Sequence, residues 1–99
     1  MKKRNYYIRV GSFDQPYKKS VKGYQIDELT FIYYDRPKWI VTDTRSGLQI
    51  CTAKNKDEAL KLFVSLTEKI AHERSTKFYL NNFVEQDYLS KLQELVENL

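Results

Sequence analysis

Hydrophobic and polar residues alternate with a period of two through much of the first half of the chain. The run YYIRV at residues 6–10 predicts a β-strand over residues 5–11. Residues 11–23 are polar and contain a proline and two glycines, which predicts a loop. Residues 24–34 carry apolar side chains at both sets of alternate positions. This is typical of a strand that is covered on one face and partly covered on the other.

A β-hairpin is predicted next along the chain. Two short runs, 38–45 and 48–54, are rich in β-branched and aromatic residues and are joined by a turn around Ser46-Gly47. A proline-containing turn at residues 35–38 separates this hairpin from the preceding strand. The pattern therefore predicts three to four strands before the first helix.

The hydrophobic period becomes helical after residue 55. Asn55 followed by Glu58 fits a capping box, because the asparagine side chain can accept from the free N–H groups of the first turn. Apolar residues then recur at helical spacing and predict a helix over 56–74. A second apolar stripe predicts a helix over 83–98. Residues 76–82 fit either a fifth short strand or a bent connection.

Grouped strands followed by helices predict an α+β fold with an antiparallel β-sheet. We expect a sheet of strands at about 5–11, 24–34, 38–45 and 48–54, with both helices packed on one face. The length of 99 residues favours a single domain over residues 1–99. Disorder is one interpretation of the basic segment 1–5.

Charge is distributed unevenly along the chain. The net charge is +4, yet residues 1–24 hold seven Lys or Arg residues and one Asp, whereas residues 57–99 are mildly acidic. A basic segment of this kind indicates nucleic acid or an acidic protein surface as a partner. The alternative interpretation is a solvated terminus and a solubilising loop, because a net charge of +4 is small for a nucleic-acid-binding domain.

The chain lacks the sequence features of membrane and secreted proteins. No apolar run approaches the roughly 18 residues of a membrane span, and no apolar segment follows the basic N-terminus as in a signal peptide. The single Cys excludes an internal disulfide framework. We therefore expect a cytoplasmic protein with no membrane partner, as a monomer or a homodimer.

Candidate catalytic residues are sparse, which predicts that the protein is not an enzyme. His72 is the one His, and its position late in a helix is explained by the favourable effect of a cation near a helix C-terminus. Cys51 has no neighbouring cation cluster or second Cys and fits a small buried hydrophobe. One His and one Cys cannot build a nitrogen–sulfur metal site, so no metal and no cofactor are predicted.

A candidate binding surface combines the basic N-terminal residues with exposed aromatic rings. Cations bind phosphates, and aromatic rings offer stacking faces for bases. The candidate residues are Lys2, Lys3, Arg4, Tyr6, Tyr7, Arg9, Lys18, Lys19, Lys22, Tyr34 and Trp39.

Residues 39–60 (WIVTDTRSGLQICTAKNKDEAL) resemble a theme of small accessory proteins of bacteriophages and mobile elements. In that theme a hairpin with a Ser-Gly or Thr-Gly turn leads into a helix that starts with Asp-Glu-Ala. The segment is similar to the arm-binding domains of phage-type integrases, which resemble plant AP2 modules and read DNA with a three-stranded sheet. Inhibitors of host defence, including anti-CRISPR proteins, are another class that the chain resembles.

Two functions are compatible with these observations. The first is a non-catalytic interaction protein of phage or mobile-element type, which binds and modulates or inhibits a host protein or nucleoprotein machine. The second is a small DNA- or RNA-binding protein that uses the basic N-terminal segment and the sheet.

Overall fold

The computed structural model describes residues 3–11 and 15–80, which form one antiparallel sheet followed by helices. The strands are β1 (Lys3–Gly11), β2 (Pro16–Asp27), β3 (Thr30–Asp35), β4 (Lys38–Asp43) and β5 (Gln49–Ala53), and the helices are α1 (Lys56–Ser65), α2 (Thr67–Arg74) and α3 (Lys77–Leu80). Strands that are consecutive in sequence are neighbours in the sheet, and each neighbouring pair is antiparallel. The predicted α+β class and antiparallel sheet are therefore confirmed.

The strand count is higher than predicted, because the expected loop over residues 11–23 is wrong. Residues 16–23 belong to β2, which pairs with β1 from Gly11↔Pro16 to Lys3↔Tyr24. The predicted single strand over 24–34 is likewise two strands, β2 and β3. They are separated by a turn in which the Asp27 carboxylate accepts from the backbone N–H of Leu29 at 2.9 Å. Residues 3–5 of the basic N-terminal segment lie in β1.

The sheet curls toward one face, which we call the concave face. Strands β1 and β3 are separated by β2, yet the rings of Tyr6 and Phe31 stack with their centroids 4.0 Å apart. Gly23 of β2 leaves room for this contact, since a Cβ there would lie 3.1 Å from the Phe31 ring. The curl brings the outer edge of β1 to the β4–β5 turn, where the N–H of Arg9 donates to the carbonyl of Gly47 at 2.9 Å.

Two hydrophobic clusters lie on opposite faces of the sheet. The concave cluster consists of Tyr6, Ile8, Phe31, Tyr33 and Ile40. The convex cluster joins Ile32, Val41 and Cys51 to Ala59 of α1, so α1 covers the β4–β5 half of the convex face. On the β1–β2 half of the convex face, Lys3, Asn5, Lys18 and Lys22 are exposed.

The helical region begins as predicted and is interrupted once. The Asn55 side chain accepts from the N–H of Glu58 at 2.8 Å, which confirms the capping box. The predicted single helix over 56–74 is two helices, α1 and α2, that meet at Leu66. Hydroxyl groups on both sides of Leu66 donate to carbonyls of the preceding turn (Ser65 to Leu62, Thr67 to Val64), a bonding pattern that bends helices.

The segment after α2 differs from both interpretations given above. Residues 77–80 form a single helical turn, so they contribute neither a strand nor an irregular connection. The predicted helix over 83–98 lies outside the described residues.

Candidate nucleic-acid interface

Alternation in β1 and β2 places several cations on the convex face of the sheet. Residues that pair directly across two antiparallel strands project from the same face. We call this surface the basic face; it comprises the pairs Lys3↔Tyr24, Asn5↔Lys22, Tyr7↔Ser20 and Arg9↔Lys18. None of these side chains is acidic, so the whole row presents positive charge and hydrogen-bond donors.

An aromatic cluster continues the basic face into the middle of the sheet. It consists of Tyr24, Tyr34 and Trp39. Tyr34 pairs with Trp39 across β3 and β4. The Trp39 ring centroid lies 5.2 Å from that of Tyr34 and 6.5 Å from that of Tyr24, both in tilted arrangements. Tyr34 is 52% exposed, so the cluster offers at least one ring to a ligand.

Lysine ammonium groups lie over the rings of this surface. Lys18 Nζ is 4.3 Å from the Tyr7 ring centroid, and Lys3 Nζ is 5.9 Å from that of Tyr24. Lys56, at the start of α1, reaches both Tyr24 at 4.8 Å and Trp39 at 5.8 Å. Such cation–π contacts are weak at exposed sites, but they place a positive charge beside each stacking surface.

The lysines of the basic face have no carboxylate partner within the part of the chain that the structure describes. In the described part of the chain, no ion pair within 4.0 Å joins Lys3, Lys18 or Lys22 to an Asp or Glu. Among the described residues, the basic face contains no acidic side chain that would compensate the charge of these lysines.

Most of the sequence-predicted surface residues come together on this part of the molecule. The basic face and aromatic cluster contain Lys3, Tyr7, Arg9, Lys18, Lys22, Tyr34 and Trp39. Tyr6 does not, because it is 1% exposed and stacked on Phe31 in the concave cluster. Arg4 and Lys19 project from the opposite face of the sheet. Lys2 lies outside the described residues.

Two residues of the surface were missed by sequence reasoning. Tyr24 continues the alternation of Lys18, Ser20 and Lys22, but the assignment of residues 11–23 to a loop concealed that pattern. Lys56 reaches the aromatic cluster only because α1 packs on the convex face, and nothing local in the sequence signals that contact.

The two residues considered for catalysis lie in different environments. Cys51 is buried in the convex cluster, where its thiol faces the carbonyl of Ala59 at 3.7 Å and burial raises its pKa. His72 is exposed on α2. A thiol with a raised pKa is a poor nucleophile at neutral pH. The Cys51 site therefore fits a packing role, as expected from the sequence.

A second polar constellation, which we call the Asp43 network, lies between the sheet and α2–α3. Asp43 is 4% exposed and accepts from Arg74 Nε at 2.8 Å, from the Tyr79 hydroxyl at 3.1 Å and from the N–H of Ser46 at 2.7 Å. Arg74 Nη2 also donates to the carbonyl of Leu29 at 3.1 Å and to the Thr30 hydroxyl at 3.0 Å. The network therefore ties the end of α2 to β3 and β4.

Tyr79 of α3 completes this network. Its hydroxyl accepts from Arg45 Nε at 2.7 Å while donating to Asp43, and the Arg45 guanidinium lies 5.0 Å from its ring centroid. Burial, and then the negative charge of Asp43, raises the pKa of the Tyr79 phenol above its ordinary value. The phenol is thus held in its neutral, donating form.

A cleft of about 290 Å³ lies beside the Asp43 network, between the β4–β5 turn and α2. Apolar side chains form much of its wall, including Leu48, Ile50 and Ile70. Its volume is at the lower limit of small-molecule pockets, which span about 300–1,000 Å³. Asp43 and Arg74, which line the cleft, bind each other, so their charges are already paired within the protein.

No family model, curated protein or solved structure matches this chain. Within residues 3–11 and 15–80, no group of three or more His, Cys, Asp or Glu side chains is arranged to hold a metal ion. The helices of the same described ranges are all too short or too polar to traverse a lipid bilayer.

Proposed function

We propose that the protein is a non-catalytic nucleic-acid-binding protein and that the basic face is its binding surface. The observation that carries the proposal is the β1–β2 register, which gathers Lys3, Arg9, Lys18 and Lys22 beside tyrosine rings on one face. The opposite face of the same two strands carries the core residues Tyr6 and Ile8. Four of the six described cations of these two strands therefore share the basic face, while Arg4 and Lys19 lie on the opposite face.

The energetics of such binding come mainly from counterion release. Each lysine that neutralises a phosphate releases condensed cations, so affinity falls linearly with salt on a logarithmic scale. The four lysines Lys3, Lys18, Lys22 and Lys56 would give a slope of about −2.8 for a single strand or about −3.6 for a duplex. Binding should therefore weaken steeply with added salt.

The test compares two neighbouring lysines of β2 that project from opposite faces. Lys18→Gln should weaken binding of a labelled oligonucleotide and reduce the magnitude of the salt slope by about one unit. Lys19→Gln removes the same charge from the same strand and should leave both nearly unchanged. Fluorescence anisotropy titrations between about 50 and 200 mM salt give both quantities. Equal effects of the two substitutions, or no binding at low salt, would contradict the proposal.

A second candidate function is binding to a host protein or nucleoprotein machine, as expected for an interaction protein of phage type. The observation that favours it is the exposure of Leu62 and Val64 on α1, where large apolar side chains face solvent. Affinity capture from a nuclease-treated host lysate separates the two functions. A specific partner that is lost with Val64→Lys but retained with Lys18→Gln would favour protein binding through α1.

A further inference from the structure

We infer that the ligand of the basic face is a single-stranded nucleic acid whose bases stack on the aromatic cluster. This inference rests on the proposed function and adds the class of nucleic acid. The relevant observation is that Tyr24, Tyr34 and Trp39 lie at one end of the lysine row rather than elsewhere on the surface.

Rings on an open sheet surface select unpaired bases. In a duplex each base face is covered by its neighbours in the stack, so only base edges and phosphates are accessible. In a single strand the base faces are free, and stacking on aromatic side chains is the main sequence-tolerant contact. The rings of Tyr34 and Trp39 are tilted, with their centroids 5.2 Å apart, and Tyr34 is the exposed member of the pair. This arrangement fits a base that stacks on the Tyr34 ring.

The surface has a second aromatic position, which sets a minimum length for the ligand. Tyr7 lies four residues along β1 from Lys3, the residue that pairs with Tyr24. Four residues of a strand span roughly 13 Å. A strand that reaches both Tyr7 and the aromatic cluster therefore covers several nucleotides, in agreement with the roughly 4–16 nucleotides bound by single-strand-binding domains.

The lysines beside the rings occupy the positions expected for phosphate contacts. Lys18 accompanies Tyr7, while Lys3 and Lys56 accompany Tyr24. When a base stacks on a ring, the adjacent ammonium group can move to the neighbouring phosphate and exchange a weak cation–π contact for an ion pair. A cationic ligand is disfavoured at the same rings, because these lysines would repel it.

Trp39 provides a direct measurement, because it is the one tryptophan in the chain. The probes are oligo-dT, oligo-U, a duplex of the same length, and heparin, which has charge but no bases. We expect single strands to bind at least tenfold more tightly than the duplex and to quench Trp39 fluorescence. Heparin should bind without quenching. Quenching by either oligonucleotide supports the inference. The oligonucleotide that binds more tightly identifies DNA or RNA as the preferred ligand.

A matched pair of tyrosine variants tests the stacking surface. Tyr34→Leu should weaken oligo-dT binding about tenfold and leave heparin binding unchanged. Tyr17→Leu is the control, because Tyr17 is 63% exposed on the opposite face of β2. Thermal unfolding of both variants checks that they remain folded. Equal affinity for duplex and single strand, with no effect of Tyr34→Leu, would overturn the inference while the proposed function stands. Failure of the wild-type protein to bind any nucleic acid would overturn both.

Discussion

The basic face and the Asp43 network both combine cations with tyrosine rings, but they use these groups in opposite ways. In the network, Arg74 and Asp43 are largely buried and bind each other, and the Tyr79 hydroxyl joins Arg45 to Asp43. On the basic face, Lys18 and Lys22 are exposed and have no carboxylate partner among the described residues. The first set holds helices to the sheet, and the second set is available to a ligand.

This contrast shows why residue type alone does not identify a binding site. Arginine, tyrosine and aspartate in a cleft suggest a ligand pocket until their mutual hydrogen bonds are counted. What distinguishes a binding surface is charge that the protein leaves unsatisfied. Substitutions in the network should therefore affect stability, whereas substitutions on the basic face should affect binding.

The largest effect on the free energy of unfolding is expected from Asp43→Ala. Removing one partner of a buried ion pair leaves the Arg74 charge uncompensated and costs about 3–5 kcal/mol. Denaturant unfolding monitored by circular dichroism measures this change. A loss below about 1 kcal/mol in the free energy of unfolding would mean that the Asp43–Arg74 pair behaves as an ordinary surface salt bridge. The Asp43 network and the basic face would then not differ in their contribution to stability.

A somewhat smaller loss in the free energy of unfolding is expected from Gly23→Ala. This substitution disturbs the core beneath the basic face without changing the charge of that face. A Cβ at this position would lie 2.8 Å from the carbonyl oxygen of Ile32 and 3.1 Å from the Phe31 ring. Overpacking of this kind typically costs about 1–3 kcal/mol. Denaturant unfolding measures the loss, and unchanged stability would mean that the curled sheet can expand at the Tyr6–Phe31 contact.

Alkaline pH should weaken the Asp43 network through Tyr79. The folded-state pKa of Tyr79 is raised, so above the ordinary value of 10.0 the unfolded chain loses its phenolic proton before the folded protein does. The stabilisation is fully present below pH 10 and declines as pH rises toward the folded-state pKa. Unfolding measured as a function of pH should show a shallower decline for Tyr79→Phe than for wild type. Identical declines in stability for the variant and the wild type would mean that the pKa of Tyr79 is the same in the folded and unfolded states.

Tyr33 supplies the comparison for this experiment. Burial, followed by the charge of Asp35, raises its pKa as well, so it contributes in the same pH range. Tyr33→Phe should remove that separate contribution while leaving the contribution of the Asp43 network in place.

The smallest effect on stability is expected from the double substitution Lys18→Gln/Lys22→Gln. Exposed side chains without a carboxylate partner contribute little to folding, and the exposed cation–π contact of Lys18 with Tyr7 is weak, so the free energy of unfolding should change by less than about 0.5 kcal/mol. Binding to an oligonucleotide should nevertheless weaken strongly. Parallel unfolding and anisotropy measurements check both, and a large loss of stability would show that these lysines belong to the fold rather than to a binding surface.

Local sequence signals predicted the elements that depend on near neighbours. The β1 alternation, the hairpin around Ser46-Gly47 and the Asn55 cap involve contacts within a few residues, and each is present. Strand β2 was missed because its exposed positions carry lysines on both faces, which removes the apolar alternation that marks a strand. Its identity depends on pairing with β1, a contact that no local pattern reveals.

The candidate site was predictable in composition but not in arrangement. Tyr6 and Tyr7 are adjacent and identical, yet one is buried against Phe31 and the other lies on the basic face. Only the pairing register of the sheet determines which of these two tyrosines points into the core. The Asp43–Arg74 pair joins residues 31 positions apart, so it too depends on the assembled fold.

The hydrogen bond from Arg9 to Gly47 has a consequence for self-association. Outer strands expose unpaired peptide groups that invite pairing with another molecule, and natural sheets protect them in several ways. Here the β4–β5 turn occupies part of the β1 border, with Gly47 in a left-handed conformation at φ 70° that glycine adopts readily. A second copy that added a strand along β1 would have to displace this turn, so the protein carries its own barrier to edge-to-edge aggregation at this point.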